Sequence, residues 1–340
     1  MLKTPMFQND LKKAIEEVLH GRPVALPTET VYGLAARIDN SEAIKAIFKL
    51  KDRPFFDPLI IHVGSIEQAR SLVSWWPPEA QKLAESFWPG PLTLVLPKAA
   101  HVDPMITSGL DTVALRWPRQ ELFQKVLDEV KIPLAAPSAN KFGRTSPTEA
   151  QHVKEEFKND PVFVLDGGPC EIGIESTVLK ILQNNNETQL ALLRKGSLTE
   201  SHIKNTLNNF SVRFIDSVSA KDSPGHMKHH YMPAIPLIIC LKRKNFKDLA
   251  QQIYQKISLL PPVVEHVKMI PLTRVPQQIL ELKLSADPLV ATREFYGQLR
   301  KLAKSGGECI VYFKEAKADP GPWEALYDRM TKAASLILND

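Results

Sequence analysis

Lys51, Arg53 and His62 fall within one short stretch, Lys51-Asp-Arg-Pro-Phe-Phe-Asp-Pro-Leu-Ile-Ile-His62. Two cations one residue apart suit an anionic ligand such as a nucleotide phosphate, provided the chain holds them still. Pro54 supplies part of that rigidity, because it stops the preceding helix and biases Arg53 towards an extended backbone. Pro58 to Val63 is a short apolar run of strand type with an imidazole at its end. A solvated Lys/Arg turn after a surface helix carries the same pattern, so this stretch alone leaves both readings open.

The flanking strands decide where such groups point. Alternation puts Leu59, Ile61 and Val63 on one face and Ile60 with His62 on the other. In the same way Val113, Leu115 and Trp117 separate from Ala114 and Arg116. Thr30, His62, Arg116, Ser138 and Ser176 all fall at strand ends or in the loops beside them. Ligand crevices of open α/β sheets form at strand ends, which predicts that these polar groups share one pocket. Taken singly, each is also an ordinary surface or capping residue.

The periodicity predicts the elements that carry them. A helix capped by Asn9 or Asp10 turns Leu11, Ile15, Val18 and Leu19 inward and ends at Gly21, before strand Val24–Leu26 and the loop Pro27-Thr-Glu-Thr-Val-Tyr-Gly33. A second helix from Asn40 or Ser41 leads into Lys51. Ser65-Ile-Glu-Gln68 has the form of a capping box. Further helices are expected over Pro78–Phe87 and Glu121–Val130, after Thr148 as cap, and around Leu198 to Leu207. Strands are expected at Leu92–Leu96, Thr112–Trp117, Ile132–Ala136, Val162–Leu165, Ser176–Leu182 and Gln189–Leu193, the last two joined by an Asn184–Asn186 turn. The pattern lapses from Phe210 to Pro233, where Ser, Pro and Gly mark a linker. Strands Ile235–Leu241, Val263–Pro271 and Ile310–Phe313 then alternate with helices Phe246–Ile257, Ala291–Leu302 and Trp323–Leu336. The fold class is therefore α/β: an open, twisted, mixed sheet with flanking helices over residues 1–210, a linker over 211–234, and a smaller α/β domain over 235–340.

The 340 residues, 44% hydrophobic and 24% charged, are those of an ordinary globular chain. No apolar run approaches a transmembrane length, and Met1-Leu-Lys-Thr-Pro5 has no secretory pattern, so a cytoplasmic location away from membranes is expected. Cys170, Cys240 and Cys309 show neither metal spacing nor a disulfide framework. His226, His229 and His230 lack Cys or carboxylate partners, so no metal site built from protein side chains is expected. A net charge of +5 permits an anionic substrate or RNA without requiring either. Walker, Gly-x-Gly-x-x-Gly, Gly-x-Ser-x-Gly and His-Glu-x-x-His motifs are missing, which leaves no triad and no standard phosphate loop.

Laid side by side, the segments closely resemble the YrdC-like family of threonylcarbamoyl-AMP synthases in its long, two-domain form. The resemblance rests on Pro27-Thr-Glu-Thr-Val-Tyr-Gly-Leu34, Lys51-x-Arg53-Pro54, Pro58-Leu59-Ile60-x-His62 and Phe87-Trp-Pro-Gly-Pro-Leu-Thr93. It continues through Arg116-x-Pro118, Ala136-Pro-Ser-Ala-Asn140, Ser146-Pro-Thr148, Asp166-Gly-Gly-Pro-Cys170, Gly173-Ile-Glu-Ser-Thr177 and Leu193-Arg194-x-Gly196. Ser223-Pro-Gly225 and His230-Tyr-Met-Pro233 resemble the linker of the long form, and Asp328-Arg-Met-x-Lys332 gives a looser match in the Rossmann-like C-terminal domain.

The resemblance implies synthesis of threonylcarbamoyl-AMP and pyrophosphate from L-threonine, bicarbonate or CO2, and ATP with Mg2+. This is the first step of a tRNA modification next to the anticodon. It implies L-threonine contacts at Thr30, His62, Arg116, Ala136 and Ser176. It also implies ATP contacts at Arg53, Asp57, Thr112, Ser138, Asn140, Ser146, Arg194 and Tyr231, with Lys51 and Arg53 as the catalytic cations. The linker carrying Tyr231 would act as a lid. Transfer of a nucleotidyl group needs alignment and charge neutralisation rather than a covalent nucleophile. Asp57 departs from the family's usual Asn, as a Mg2+ ligand or as a weaker ATP contact. Gln120 replaces a common His, and His226-Met227 stands where a basic residue is usual. tRNA itself and the downstream tRNA threonylcarbamoyl-transferase proteins stay open as partners. Two other classes compete. An RNA-binding module would need aromatics interleaved with Lys/Arg runs, which are missing. A carbamoyl-transfer module of hydrogenase maturation would need acylphosphatase and zinc-finger regions, which are missing too.

Overall fold

The computed structural model describes residues 5–184, 187–216, 229–264, 267–315 and 321–339. The chain divides into two units, Met1–Lys141 with Pro147–His226, and Phe142–Ser146 with Met227–Asp340.

In the first unit the elements run α1 (Pro5–Leu19), β1 (Val24–Leu26), β2 (Gly33–Arg37), α2 (Ser41–Lys51), β3 (Ile60–His62), α3 (Ile66–Ser71) and α4 (Pro78–Phe87). Then come β4 (Leu92–Pro97), β5 (Thr112–Arg116), α5 (Glu121–Val130), β6 (Leu134–Ala135), α6 (Ala150–Glu156) and β7 (Phe163–Val164). β8 (Thr177–Asn184), β9 (Glu187–Arg194), α7 (Glu200–Thr206) and β10 (Val212–Phe214) complete it. The ten strands make one mixed sheet in the order β10-β9-β8-β4-β5-β3-β6-β2-β1-β7, the open α/β architecture that the alternation predicts.

The two faces of this sheet are covered unequally. Leu59, Ile61, Val63, Leu92, Leu94, Leu96, Val113 and Leu115 share one buried cluster with residues of α2, α3, α4, α6 and α7. On the opposite face, α1 and α5 pack over β1, β2 and β6 through Val18, Phe123, Val126, Val24, Ala35 and Leu134. Beyond them, among the described residues, the face bears a small buried cluster drawn from strands alone, Ile60, Val95, Ala114 and Val178, with Leu193 packed against it. That half is where an open α/β sheet forms its ligand crevice.

Several local expectations differ. α1 starts at Pro5, a residue whose fixed φ suits a first turn, so Asn9 and Asp10 lie inside the helix, and Leu19 is exposed. Ser65 caps α3 by accepting from Gln68 N, but the Gln68 side chain reaches back to Gly64 N rather than to Ser65, so the box is not closed. Glu149, not Thr148, precedes α6, and Thr148 instead lies against His152 Nδ1. β2 was not expected, because a strand of small residues buried on both faces has no alternation. β10 occupies the start of the segment read as linker and pairs in parallel with β9. Ser217, Ser219, Ser223, Pro224, Gly225, His226 and Met227 of that segment, and Asn185 with Asn186 of the β8–β9 turn, lie outside the described residues.

The second unit runs β11 (Leu237–Cys240), α8 (Phe246–Ile257), β12 (Val263–Val264), β13 (Val267–Lys268), β14 (Ile279–Glu281), α9 (Pro288–Ala303), β15 (Cys309–Phe313), α10 (Glu324–Ala333) and β16 (Leu336–Leu338). Its four-stranded sheet, β14-β15-β11-β16, is all parallel, as a Rossmann-like domain requires. Where one strand was expected over Val263–Pro271 there is a small antiparallel pair, β12 and β13. β14 and β16 are additional; the helix expected to reach Leu336 stops at Ala333, and the next residues pair with β11. The segment Phe142–Ser146 joins this unit through Met232, which accepts from Thr145 N and donates to Gly143 O.

Candidate functional site

Lys51 is fixed by the helix that ends on it. Asn40 caps α2 by accepting from Ala43 N, and Ile44, Ile47 and Phe48 bury its inner face. Asp52 then closes the helix in the left-handed region at φ 52°. The Lys51 Nζ donates to the carbonyl oxygens of Ser138 and Asn140, both at 2.5 Å. Burial, and secondarily the Arg53 charge, hold this ammonium well below the usual lysine range. Arg53 is anchored as well. Its Nε donates to Asp57 O at 3.1 Å and its Nη2 to Pro58 O at 2.9 Å, and Nη2 pairs with the Asp57 carboxylate at 2.9 Å. Asp57 is fully buried. The two cations therefore brace the loops around them, and two of the three Lys51 donors go to protein carbonyls.

A second group gathers where β3 and β5 end, His62 standing opposite Arg116 in the register. Arg116 Nε donates to Gly90 O at 3.2 Å and Nη2 to Glu29 Oε1 at 2.7 Å. His62 lies 5.1 Å from the Phe123 ring, and its buried Nδ1 makes no hydrogen bond among the described residues. Burial, then the Arg116 charge, push its pKa down to about 3, so the imidazole is neutral at physiological pH. Thr28 Oγ1 donates to Val31 O, so the 2.8 Å contact between the two threonine hydroxyls is a donation from Thr30. That leaves the Thr30 oxygen as an acceptor. Ala136, whose N–H bonds Ile60 O, is apolar wall.

Ser176 precedes β8 and is held from three sides. Its hydroxyl meets Thr93 Oγ1 at 2.7 Å and accepts from Arg194 Nη2 at 3.0 Å, while Arg194 Nε donates to its carbonyl at 3.0 Å. Simple alternation would send Arg194 into the covered face with Leu190 and Leu192. A bulge in the β8–β9 pairing sets Val178 opposite Arg194 while Leu179 faces Leu192. The extra residue, Leu193, turns Arg194 onto the crevice face. Gly196 allows the close approach that follows: a Cβ there would stand 2.4 Å from Thr177 N.

The remaining sequence-derived residues are placed as follows by the chain itself. Thr112 begins β5 and Arg116 ends it, roughly 13 Å away at strand rise. Ser138 and Asn140 sit over Lys51, with Asn140 Nδ2 donating to Lys141 O. Ser146 and Tyr231 belong to the second unit. There Tyr231 is buried at a left-handed φ of 65°, accepts from Thr145 Oγ1 at its carbonyl, and places its ring 5.8 Å from Tyr296 with Arg329 over its face. Three neighbours were missed as site residues: Thr28, Glu29 and Thr93. Thr93 had a signal, since it interrupts Leu92 and Leu94 on the opposite face; nothing in the sequence pairs Glu29 with Arg116. Among the described residues no group of three or more His, Cys, Asp or Glu side chains could hold a metal ion, and no helix is long and apolar enough to cross a membrane.

Comparison with known proteins adds relatives to this geometry. The profile of the Sua5, YciO and YrdC family, described as "Telomere recombination", matches residues 16–196, and that of "Threonylcarbamoyl-AMP synthase, C-terminal domain" matches residues 198–335. The threonylcarbamoyl-AMP synthase of Pyrococcus abyssi is 44% identical over 225 residues, 65% of either chain. That of Bacillus subtilis is 42% identical over 220 residues, 64% of this chain and 62% of the relative. These two alignments thus span less than two thirds of the relatives' length. The Schizosaccharomyces pombe enzyme is 30% identical and aligns over 93% of this chain and 85% of its own. Among solved structures, Pyrococcus abyssi Sua5 complexed with L-threonine superposes with a TM-score of 0.77 at 33% identity, covering 97% of this chain and 96% of that one.

Proposed function

Because this chain belongs to the Sua5, YciO and YrdC family, we propose that it is a threonylcarbamoyl-AMP synthase, acting as a nucleotidyltransferase on L-threonine, bicarbonate or CO2, and ATP. The observation that carries the reading is the crevice face itself. A forked guanidinium, a neutral imidazole and two oriented hydroxyls, from Arg116, His62, Thr30 and Ser176, are buried at the strand ends on that half of the sheet. They match an amino acid that offers a carboxylate and a hydroxyl: Arg116 takes the carboxylate through paired N–H donors, and the Thr30 oxygen accepts from a polar hydrogen.

The amine nitrogen of threonine adds to CO2, or to bicarbonate with loss of water, and gives up a proton to form the carbamate. A carbamate oxygen then attacks the α-phosphorus of ATP, and the bond to the β-phosphate oxygen breaks to release pyrophosphate. Arg194 lies beside the threonine group and supplies positive charge there. Lys51 and Arg53 stiffen the loops of Ser138, Asn140 and Asp57, and the unused Lys51 donor remains for an anion. Mg2+ would arrive with ATP; Asp57, buried and paired with Arg53, does not fit a ligand for it. tRNA and the tRNA-modifying proteins that consume the product belong to the same reading.

The test is pyrophosphate release from ATP with L-threonine and bicarbonate, omitting each in turn. Release that requires both supports the synthase. Equal release without threonine, or no release from protein that binds tRNA tightly, would sink it.

A further inference from the structure

Glu29 is a buried carboxylate paired directly with Arg116. It sits between Thr28 and Thr30, is 3% exposed, and uses both oxygens. Oε1 accepts from Arg116 Nη2 at 2.7 Å and Oε2 from the backbone N–H of Arg119 at 3.1 Å. Its own carbonyl accepts from Ile172 N. Glu29, but not Arg116, also lines a cavity of about 300 Å³ with Pro27, Gln120, Gly167 and Glu171. The carboxylate is thus a partition with the guanidinium on one side and that cavity on the other.

We infer that Glu29 is a positioning residue that presents Arg116 to the carboxylate of the amino-acid substrate, and thereby sets the preference for a free acid. The inference rests on the function proposed above. Three facts carry it. The guanidinium plane is fixed at two points, Gly90 O on Nε and Glu29 on Nη2, while Nη1 makes no hydrogen bond among the described residues. An isolated guanidinium this deeply buried (4% exposed) would be costly, and Glu29 supplies the compensating charge. Finally, with both oxygens given to protein donors, Glu29 is placed to orient rather than to take the substrate ammonium. Its Arg119 bond ties the loop Pro27–Thr30 to the chain leaving β5, so the fork and the Thr30 hydroxyl move as one piece.

The experiment measures binding of L-threonine and of L-threoninamide, which lacks the carboxylate, by calorimetry on the full chain. Wild type, Glu29→Ala, Glu29→Gln and Arg119→Ala are compared, with ATP binding and thermal unfolding as controls. Wild type is expected to prefer the acid. Loss of the charged hydrogen bond in Glu29→Ala should weaken L-threonine by about 10- to 100-fold and compress the acid-to-amide preference, leaving ATP affinity unchanged. Glu29→Gln keeps an acceptor without the charge and should fall between. Arg119→Ala retains its backbone N–H and should match wild type. A folded Glu29→Ala with wild-type preference overturns the inference; if that variant does not fold, wild-type preference in Glu29→Gln overturns it. Wild-type protein that binds neither compound overturns the proposed function, and this inference with it.

Discussion

The two faces of the ten-stranded sheet are built by opposite rules. On the covered face, strand residues such as Ile61, Leu94 and Leu115 meet helices from five separate segments, and their only requirement is to be apolar and the right size. On the crevice half of the other face, four buried apolar residues are outnumbered by polar ones. Most polar groups at the site are held by a specific partner, Arg116 by Glu29, Ser176 by Thr93 and Arg194, Arg53 by Asp57, whereas His62 Nδ1 has none among the described residues. One face tolerates exchange within a chemical class, whereas the other depends on individual atoms. The site's charges are consequently also part of its scaffold.

Arg53 gives the largest test of that last point. Removing it leaves the fully buried Asp57 carboxylate without this cation, which costs about 3–5 kcal/mol for a broken buried pair. Arg53→Ala should therefore lower the denaturant midpoint as well as pyrophosphate release. Adding Asp57→Asn should recover much of the stability but not the activity. If Arg53→Ala alone unfolds at the wild-type midpoint, the two faces differ less than their packing indicates.

Adjacent isoleucines compare the faces directly. Ile61 lies in the large cluster and Ile60 in the small one, on the same strand and of the same type. Ile61→Ala should cost roughly 2–5 kcal/mol, with near-normal activity per folded molecule. Ile60→Ala should cost less, because it is 7% exposed and belongs to the smaller cluster, yet reduce activity more, since it shares the face of β3 that bears His62. Chemical denaturation and steady-state rates on the same preparations separate the two effects. Equal stability losses would remove the distinction.

What could be read from the sequence follows the same division. The opposed sets Leu59–Ile61–Val63 and Ile60–His62 needed only the two-residue period, and the structure places them as the period predicts. Lys51 and Arg53 were visible as cations, but not their engagement with Ser138, Asn140, Asp57 and Pro58. Those partners lie in turns and loops that no periodicity describes. The bulge at Leu193 is the clearest case. Period alone assigns Arg194 to the core, and only the pairing register reveals that one extra residue turns it outward. β14 and β16 were hidden for a different reason: three-residue strands become recognisable only through the neighbours they pair with.

His62 provides the smallest effect and the one with a defined sign. Its folded pKa of about 3 lies below the ordinary 6.5, so between these values the unfolded chain binds a proton that the folded chain excludes. Stability contributed by the neutral ring is therefore fully present above about pH 6.5 and is lost as pH falls towards 3, at no more than about 1.4 kcal/mol per pH unit. Lowering the pH from 7 to 5 should depress the Tm of wild type more than that of His62→Gln, whose amide does not titrate. Carboxylates elsewhere contribute acid sensitivity to both proteins, so the difference between the two profiles, rather than either alone, reports the histidine. Parallel profiles would mean that the crevice admits a protonated imidazole beside Arg116. That outcome would contradict the burial of His62 and Arg116, 3% and 4% exposed, which distinguishes this half of the sheet from an ordinary polar surface.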